Sequence, residues 1–131
     1  MGIFDKIFKS DNEEKNVEKK QISWIEIKQM EMLDDIVEAS KHQPVAILKH
    51  STSCGISRMV LRQFEATYDI REEDMKLYFL DLLSYREISN KIASRFNVPH
   101  QSPQLIVLSE GKVIYDASHS EISADKLKSI A

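Results

Sequence analysis

The sequence predicts an α/β fold, a central mixed β-sheet flanked by helices. Three observations carry that expectation. Apolar, β-branched runs of strand length (Pro44–His50, Lys76–Leu83, Gln104–Leu108) alternate with stretches whose apolar residues recur at helical spacing. A helix-length segment separates each of the early strands from the next, which is the connection parallel strands require. The last two strands are separated only by the tight turn Ser109-Glu110-Gly111-Lys112, so they read as an antiparallel hairpin.

Residues 1–20 stand apart from the rest. Ile3, Phe4, Ile7 and Phe8 lie at helical spacing and predict a short amphipathic helix. Such a helix can anchor to a membrane surface or a partner. With seven or eight residues it is too short to be stable alone, so packing on its own domain or a frayed end is the plainer reading. The start Met1-Gly2 invites N-myristoylation, but Lys6 stands where that signal has Ser or Thr. Ser10 to Lys20 is charged and nearly devoid of large apolar residues, a linker.

The main domain is expected over 21–131. Ile22, Trp24, Ile25 and Ile27 suggest a first short strand. Met30 to Lys41 carries Met32, Leu33, Ile36 and Val37 on one face, an amphipathic helix. The strand Pro44–His50 leads into a loop, and a second helix runs from there to about Tyr68. The charged stretch Asp69–Asp74 leaves that helix as a solvated loop. The buried strand Lys76–Leu83 precedes a helix over Arg86–Phe96, whose apolar face is Ile88, Ile92, Ala93 and Phe96. Asn97-Val98-Pro99 stops it. After the hairpin, Lys112 to Ala117 is the returning strand. A last helix starts at Ser120, with Ile122, Leu127 and Ile130 turned inward. The order is β-α-β-α-β-α-β-β-α.

Composition excludes several functions. A net charge of −3, from 18 basic and 21 acidic residues, gives no whole-chain case for nucleic-acid binding. A single cysteine forms no internal disulfide. No apolar run approaches the roughly 18 residues of a transmembrane segment. Asp5 and Lys9 interrupt any signal-peptide core, so the expected compartment is the cytoplasm, where thiols stay reduced. Four histidines and one cysteine show no metal-ligand spacing. There is no phosphate loop and no flavin or nicotinamide fingerprint.

The one cysteine, Cys54, sits in Ser51-Thr52-Ser53-Cys54-Gly55-Ile56-Ser57, between a strand and a helix. A thiol there lies at a helix N-terminus, whose free amides and dipole favour the thiolate, the nucleophilic form. A lone cysteine can also be a small buried hydrophobe. Ser57 can donate its hydroxyl to the thiolate or bond back to the main chain. Ser53 can serve as N-cap or be a small loop residue. His50, at the strand end, can place charge near the thiol or be structural, and His100 can line the same cleft. Lys49 belongs to the sheet's opposite face.

That order of elements, with a cysteine opening the helix after the second strand, resembles the thioredoxin fold. A second feature joins it: His100-Gln101-Ser102-Pro103-Gln104 stands where thioredoxin-like proteins place a cis-proline before the first strand of the final hairpin. A cis Ser102–Pro103 bond would turn main-chain groups toward an incoming substrate, which can pair there as an added strand. Cys54-Gly55-Ile56-Ser57 has serine where Cys-x-x-Cys proteins have their second cysteine. More closely, residues 21–131 resemble the YtxJ-type monothiol bacilliredoxins, thioredoxin-like proteins of bacteria that use bacillithiol in place of glutathione. The family's loop is usually Thr-Cys-Pro-Ile-Ser, so Ser53 and Gly55 depart from it, and Gly55 loses a proline that would stiffen the helix start.

The resemblance implies a thiol–disulfide oxidoreductase that removes bacillithiol from mixed disulfides on client proteins. Cys54 would be the nucleophile, with Ser57 as the second catalytic residue. Ser53, Gly55, Ile56, Ser102 and Pro103 would bind substrate. No cofactor is expected to be bound; bacillithiol is a co-substrate, and a low-molecular-weight thiol or an external reductase regenerates Cys54. Two other readings stand beside it. Cys54-Gly55-Ile56-Ser57 is one residue from the Cys-Gly-Phe-Ser loop of monothiol glutaredoxins, which carry an iron–sulfur cluster between protomers. Those proteins hold glutathione with a Gly-Gly pair after the hairpin, where this chain has Asp116-Ala117-Ser118-His119. The third reading is a non-catalytic binding module.

Overall fold

The computed structural model describes residues 22–131; the helix and linker expected over 1–20, and the boundary at residue 21, lie outside them. The elements are β1 (Trp24–Glu26), α1 (Met32–Ala39), β2 (Val45–His50), α2 (Gly55–Thr67), β3 (Lys76–Asp81), α3 (Arg86–Phe96), β4 (Gln104–Ser109), β5 (Lys112–Ser118), a 3₁₀ turn (His119–Glu121) and α4 (Ala124–Lys128). The order matches the one read from the periodicity.

The five strands form one sheet in the order β1-β3-β2-β4-β5. β1 and β2 both run parallel to β3, while β4 is antiparallel to β2 and to β5. β2 is therefore the central strand, and all six of its residues are buried. Its side chains alternate between two cores, as the period of two requires. Ala46 and Leu48 join Leu105 and Val107 under α2 and α4, through Val60, Phe64 and Leu127. Val45 and Ile47 join Ile106 and Leu108 under α1 and α3, through Leu33, Ile36, Ile88 and Ile92. Burying each large apolar side chain of this kind contributes about 1.5–3 kcal/mol.

The boundaries follow local chemistry. The β4–β5 turn places Glu110 at φ 52° and Gly111 at φ 75°, the two left-handed residues that a tight hairpin of this twist needs. The end of α1 clasps it. Ser40 accepts the Glu110 N–H through its carbonyl and the Gly111 N–H through its hydroxyl, both at 2.8 Å. Asn97 ends α3 in the left-handed conformation at φ 56°, with its N–H on the Ala93 carbonyl.

Two expected boundaries are corrected. β3 stops at Asp81 rather than Leu83, because the Asp81 carboxylate accepts the Ser84 hydroxyl and amide and turns the chain. The last helix starts at Ala124, not Ser120. Ser123 is its N-cap, accepting the Asp125 N–H at 3.2 Å, and His119–Glu121 form a separate 3₁₀ turn. Ile122 and Leu127 are buried and Ile130 packs at the core margin, as expected.

Candidate active site

β2 and β3 end, and β4 begins, at one edge of the sheet. The loop Ser51–Ser53 leaves β2 there and delivers Cys54 to the start of α2. Cys54 is the N-cap itself, half-buried and extended at φ −103°, ψ 121°. Its N–H donates to the Ser51 carbonyl at 3.2 Å, and its carbonyl accepts the Arg58 N–H at 3.1 Å, the first bond of the helix. The amides of Gly55, Ile56 and Ser57 follow in the first turn, where helical geometry offers no intrahelical acceptor. The sulfur thus sits where a helix presents unpaired donors to an anion. This placement corrects the N-cap option for Ser53: its exposed hydroxyl instead shares a hydrogen bond with the Ser51 hydroxyl at 3.3 Å.

Ser57 is fully buried. Its hydroxyl accepts the Ser51 N–H at 3.1 Å and lies 2.9 Å from His50 Nδ1. It braces the Cys54 loop against the end of β2. The His50 tautomer decides what else it does. With the ring proton on Nε2, the Ser57 hydroxyl donates to Nδ1; with the proton on Nδ1, the hydroxyl accepts it. His50 is buried, with its ring 5.3 Å from that of Phe79. Burial holds its pKa below the ordinary value of 6.5; Asp81 and Glu65 pull it up and Arg58 pushes it down.

The cis-proline is where the sequence predicted it: the Ser102–Pro103 bond is cis. Lys49 pairs with Gln104 in the β2–β4 register, so Pro103 stands beside His50, at the edge that carries Cys54. The Pro103 carbonyl accepts the His119 N–H at 3.0 Å, with His119 held in the left-handed region at φ 57°. The Ser102 hydroxyl is buried and has no hydrogen-bond partner among the described residues. On the α2 side, Ile56 is 53% exposed and Met59 47% exposed, an apolar shoulder one turn beyond the thiol. Gly55 is exposed, and a methyl group built there would meet only the Arg58 guanidinium, at an ordinary 3.9 Å.

Sequence reasoning missed Arg58. Its Nη1 donates to the Thr52 carbonyl at 2.9 Å, which folds the side chain back over the thiol loop. The available signal was its spacing, four residues after Cys54 on the same helix face.

His100 is not gathered into the cleft. Lys49 and His50 point to opposite faces of β2, and His100 lies with Lys49. Lys49 is fully buried, its ammonium donating to the Ser89 carbonyl at 3.0 Å and lying 3.3 Å from His100 Nδ1. Burial lowers the Lys49 pKa to about 8. Burial, Lys49 and Arg86 together lower that of His100. Gln104 completes the brace of this loop by donating to the Pro99 carbonyl at 2.9 Å.

Among the described residues no helix is long and apolar enough to cross a membrane, and no three His, Cys, Asp or Glu side chains group as a metal site requires. The family model described as monothiol bacilliredoxin BrxC matches residues 25–127. Among solved structures, one put forward as an oxidoreductase with a thioredoxin fold shares 29% identity, covering 81% of this chain and 91% of that one, with a TM-score of 0.69. The thioredoxin of Malassezia sympodialis matches at 17% identity over 82% of this chain and 87% of its own, TM-score 0.64. That of Trypanosoma brucei brucei matches at 19% identity over 85% and 93%, TM-score 0.62. The likeness to the two thioredoxins establishes the fold.

Proposed function

The chain belongs to the monothiol bacilliredoxin family, a family of thiol–disulfide redox proteins on the thioredoxin fold, and we propose that it removes bacillithiol from mixed disulfides on client proteins. The observation that carries this reading is Cys54 as the N-cap of α2, with Ser57 in place of a second cysteine and a cis-proline at the same sheet edge. The Cys54 thiolate attacks the bacillithiol sulfur of the client disulfide. The client–bacillithiol S–S bond breaks, the client leaves as thiolate and takes a proton from solvent, and Cys54 keeps bacillithiol in a new disulfide. A second thiol or an external reductase then attacks that disulfide and returns Cys54. One cysteine suffices, whereas releasing an internal client disulfide would need a second.

The remaining residues support binding. An extended client segment can pair with the main chain at Ser102–Pro103. Ile56 and Met59 give it an apolar surface beside the thiol. Ser53 and Gly55 lie on the same exposed loop, and Ser57 holds that loop in place through Ser51 and His50. No bound cofactor enters the scheme, and a reducing compartment such as the cytoplasm suits a free catalytic thiol.

Intact-mass spectrometry after mixing with a bacillithiol-modified client tests the reading. The expected result is one bacillithiol on this chain, the client returned as thiol, and no transfer to a Cys54→Ala protein. Transfer to that variant would remove Cys54 as nucleophile. An intact client disulfide after mixing with the wild-type protein would instead move the assignment to cluster carriage or simple binding.

A further inference from the structure

Arg58 starts as an ordinary surface residue in the first turn of α2. What distinguishes it is where its side chain goes. Helical side chains tilt toward the N-terminus, and this one is pulled further that way by the bond from Nη1 to the Thr52 carbonyl. Its second amino group lies over Gly55, since a methyl there would sit 3.9 Å from Nη2. The guanidinium is therefore bonded to the chain at Thr52, before Cys54, and faces the open side of Gly55, after it.

The group is a cation with capacity to spare. Of five N–H donors one is directed to Thr52, leaving a planar fork of the kind that grips a carboxylate through two parallel bonds. Among the described residues Arg58 is in none of the ion pairs, whereas Arg71 and Arg95 each have an acidic partner. It stands at the N-terminal end of α2, where the helix dipole adds to its attraction for an anion. Its field already reaches the neighbouring His50.

We propose that Arg58 is a specificity residue that binds a carboxylate on the low-molecular-weight thiol exchanged at Cys54. This rests on the reading of Cys54 given above. When Cys54 attacks a mixed disulfide, the small-thiol sulfur must come into line with the Cys54 sulfur, which brings the rest of that small molecule over the α2 N-terminus. Bacillithiol and glutathione both carry carboxylates, which Arg58 would meet, whereas the client's own backbone would pair at the Ser102–Pro103 edge. Arg58 thus reads the part of the disulfide that stays with Cys54.

The test uses one client protein loaded in turn with bacillithiol and with 2-mercaptoethanol, which has no charge. The readout is the ratio of kcat/KM for the two disulfides, in the wild-type protein and in Arg58→Gln and Arg58→Lys variants. Arg58→Gln is expected to lower the ratio by about tenfold, the scale of one lost charge-assisted contact, with the change carried by KM. Arg58→Lys should fall between, since it keeps the charge and loses the fork. The wild-type ratio should also shrink as salt is raised. An unchanged ratio in Arg58→Gln, with both rates falling together or neither falling, would overturn the assignment while leaving Cys54 exchange intact. A wild-type protein inert to both disulfides would overturn this and the underlying reading together.

Discussion

Removing the Ser57 hydroxyl would leave the Ser51 amide buried without its acceptor and His50 Nδ1 without a partner. An unsatisfied buried donor costs about 1–3 kcal/mol, and that is the expected loss of stability in Ser57→Ala. Denaturant unfolding measures it. Thiol exchange should slow but persist, because the nucleophile and the helix N-terminus remain. A variant as stable as the wild type would show that Ser57 does not brace the loop. At this scale the sequence revealed what local spacing encodes: Cys54 before a helix, and Ser102-Pro103 before a strand. It hid what depends on contact. The Ser57–His50 bond joins residues seven apart across a loop, and the Arg58–Thr52 bond depends on a rotamer, so neither leaves a pattern in spacing alone.

Gly55 is the first residue of α2, and three features at that point favour proline. The N–H of a first helical residue has no intrahelical acceptor to lose. Cys54 already holds the extended conformation that a following proline demands. The first carbon of the new side chain would meet only the Arg58 guanidinium, at an ordinary 3.9 Å. Gly55→Pro should therefore raise stability by about 0.4–1 kcal/mol, chiefly by restricting the unfolded chain. Thermal melting checks this, and a lower Tm would mean that the Gly55 amide has a partner in the folded loop. Other elements show why boundaries were harder to read than existence. Arg86–Phe96 was legible to the residue because Asn97 and Pro99 both end a helix. The start of α4 was not, because Ser120 and Ser123 are equally competent caps. The choice falls to Ser123 once His119 turns back to bond Pro103, an event outside the local sequence.

The sheet as a whole was legible because β2 opens with the continuous apolar run Val45–Leu48, and such a run belongs in the centre of a sheet covered on both faces. The same logic hid Lys49. A period of two sends it into the core between β2 and α3, where a charged residue is not expected and only neutral groups bond it. Its consequence is a pH dependence of stability for the whole molecule. The Lys49 pKa is about 8 in the folded protein against 10.5 for a free lysine. Between those values the unfolded chain holds a proton that the folded one has released. Stability therefore rises with pH through that window, and below about pH 8 the folded protein bears the full cost of the buried ammonium. Tyr68, raised to about 12 chiefly by burial, acts in the opposite sense above pH 10, where unfolded tyrosine ionises first. His50 and His100, both lowered, erode stability as pH falls below 6.5. Tyr68 and His50 are shared by a Lys49→Met variant, and His100 is neutral above pH 8, so from pH 8 upward the difference between the two unfolding curves isolates Lys49. The variant should be favoured over the wild type most at pH 7, and the gap should narrow steadily from pH 8 to 10. A gap that stays constant over that range would mean that Lys49 keeps its proton in the folded core.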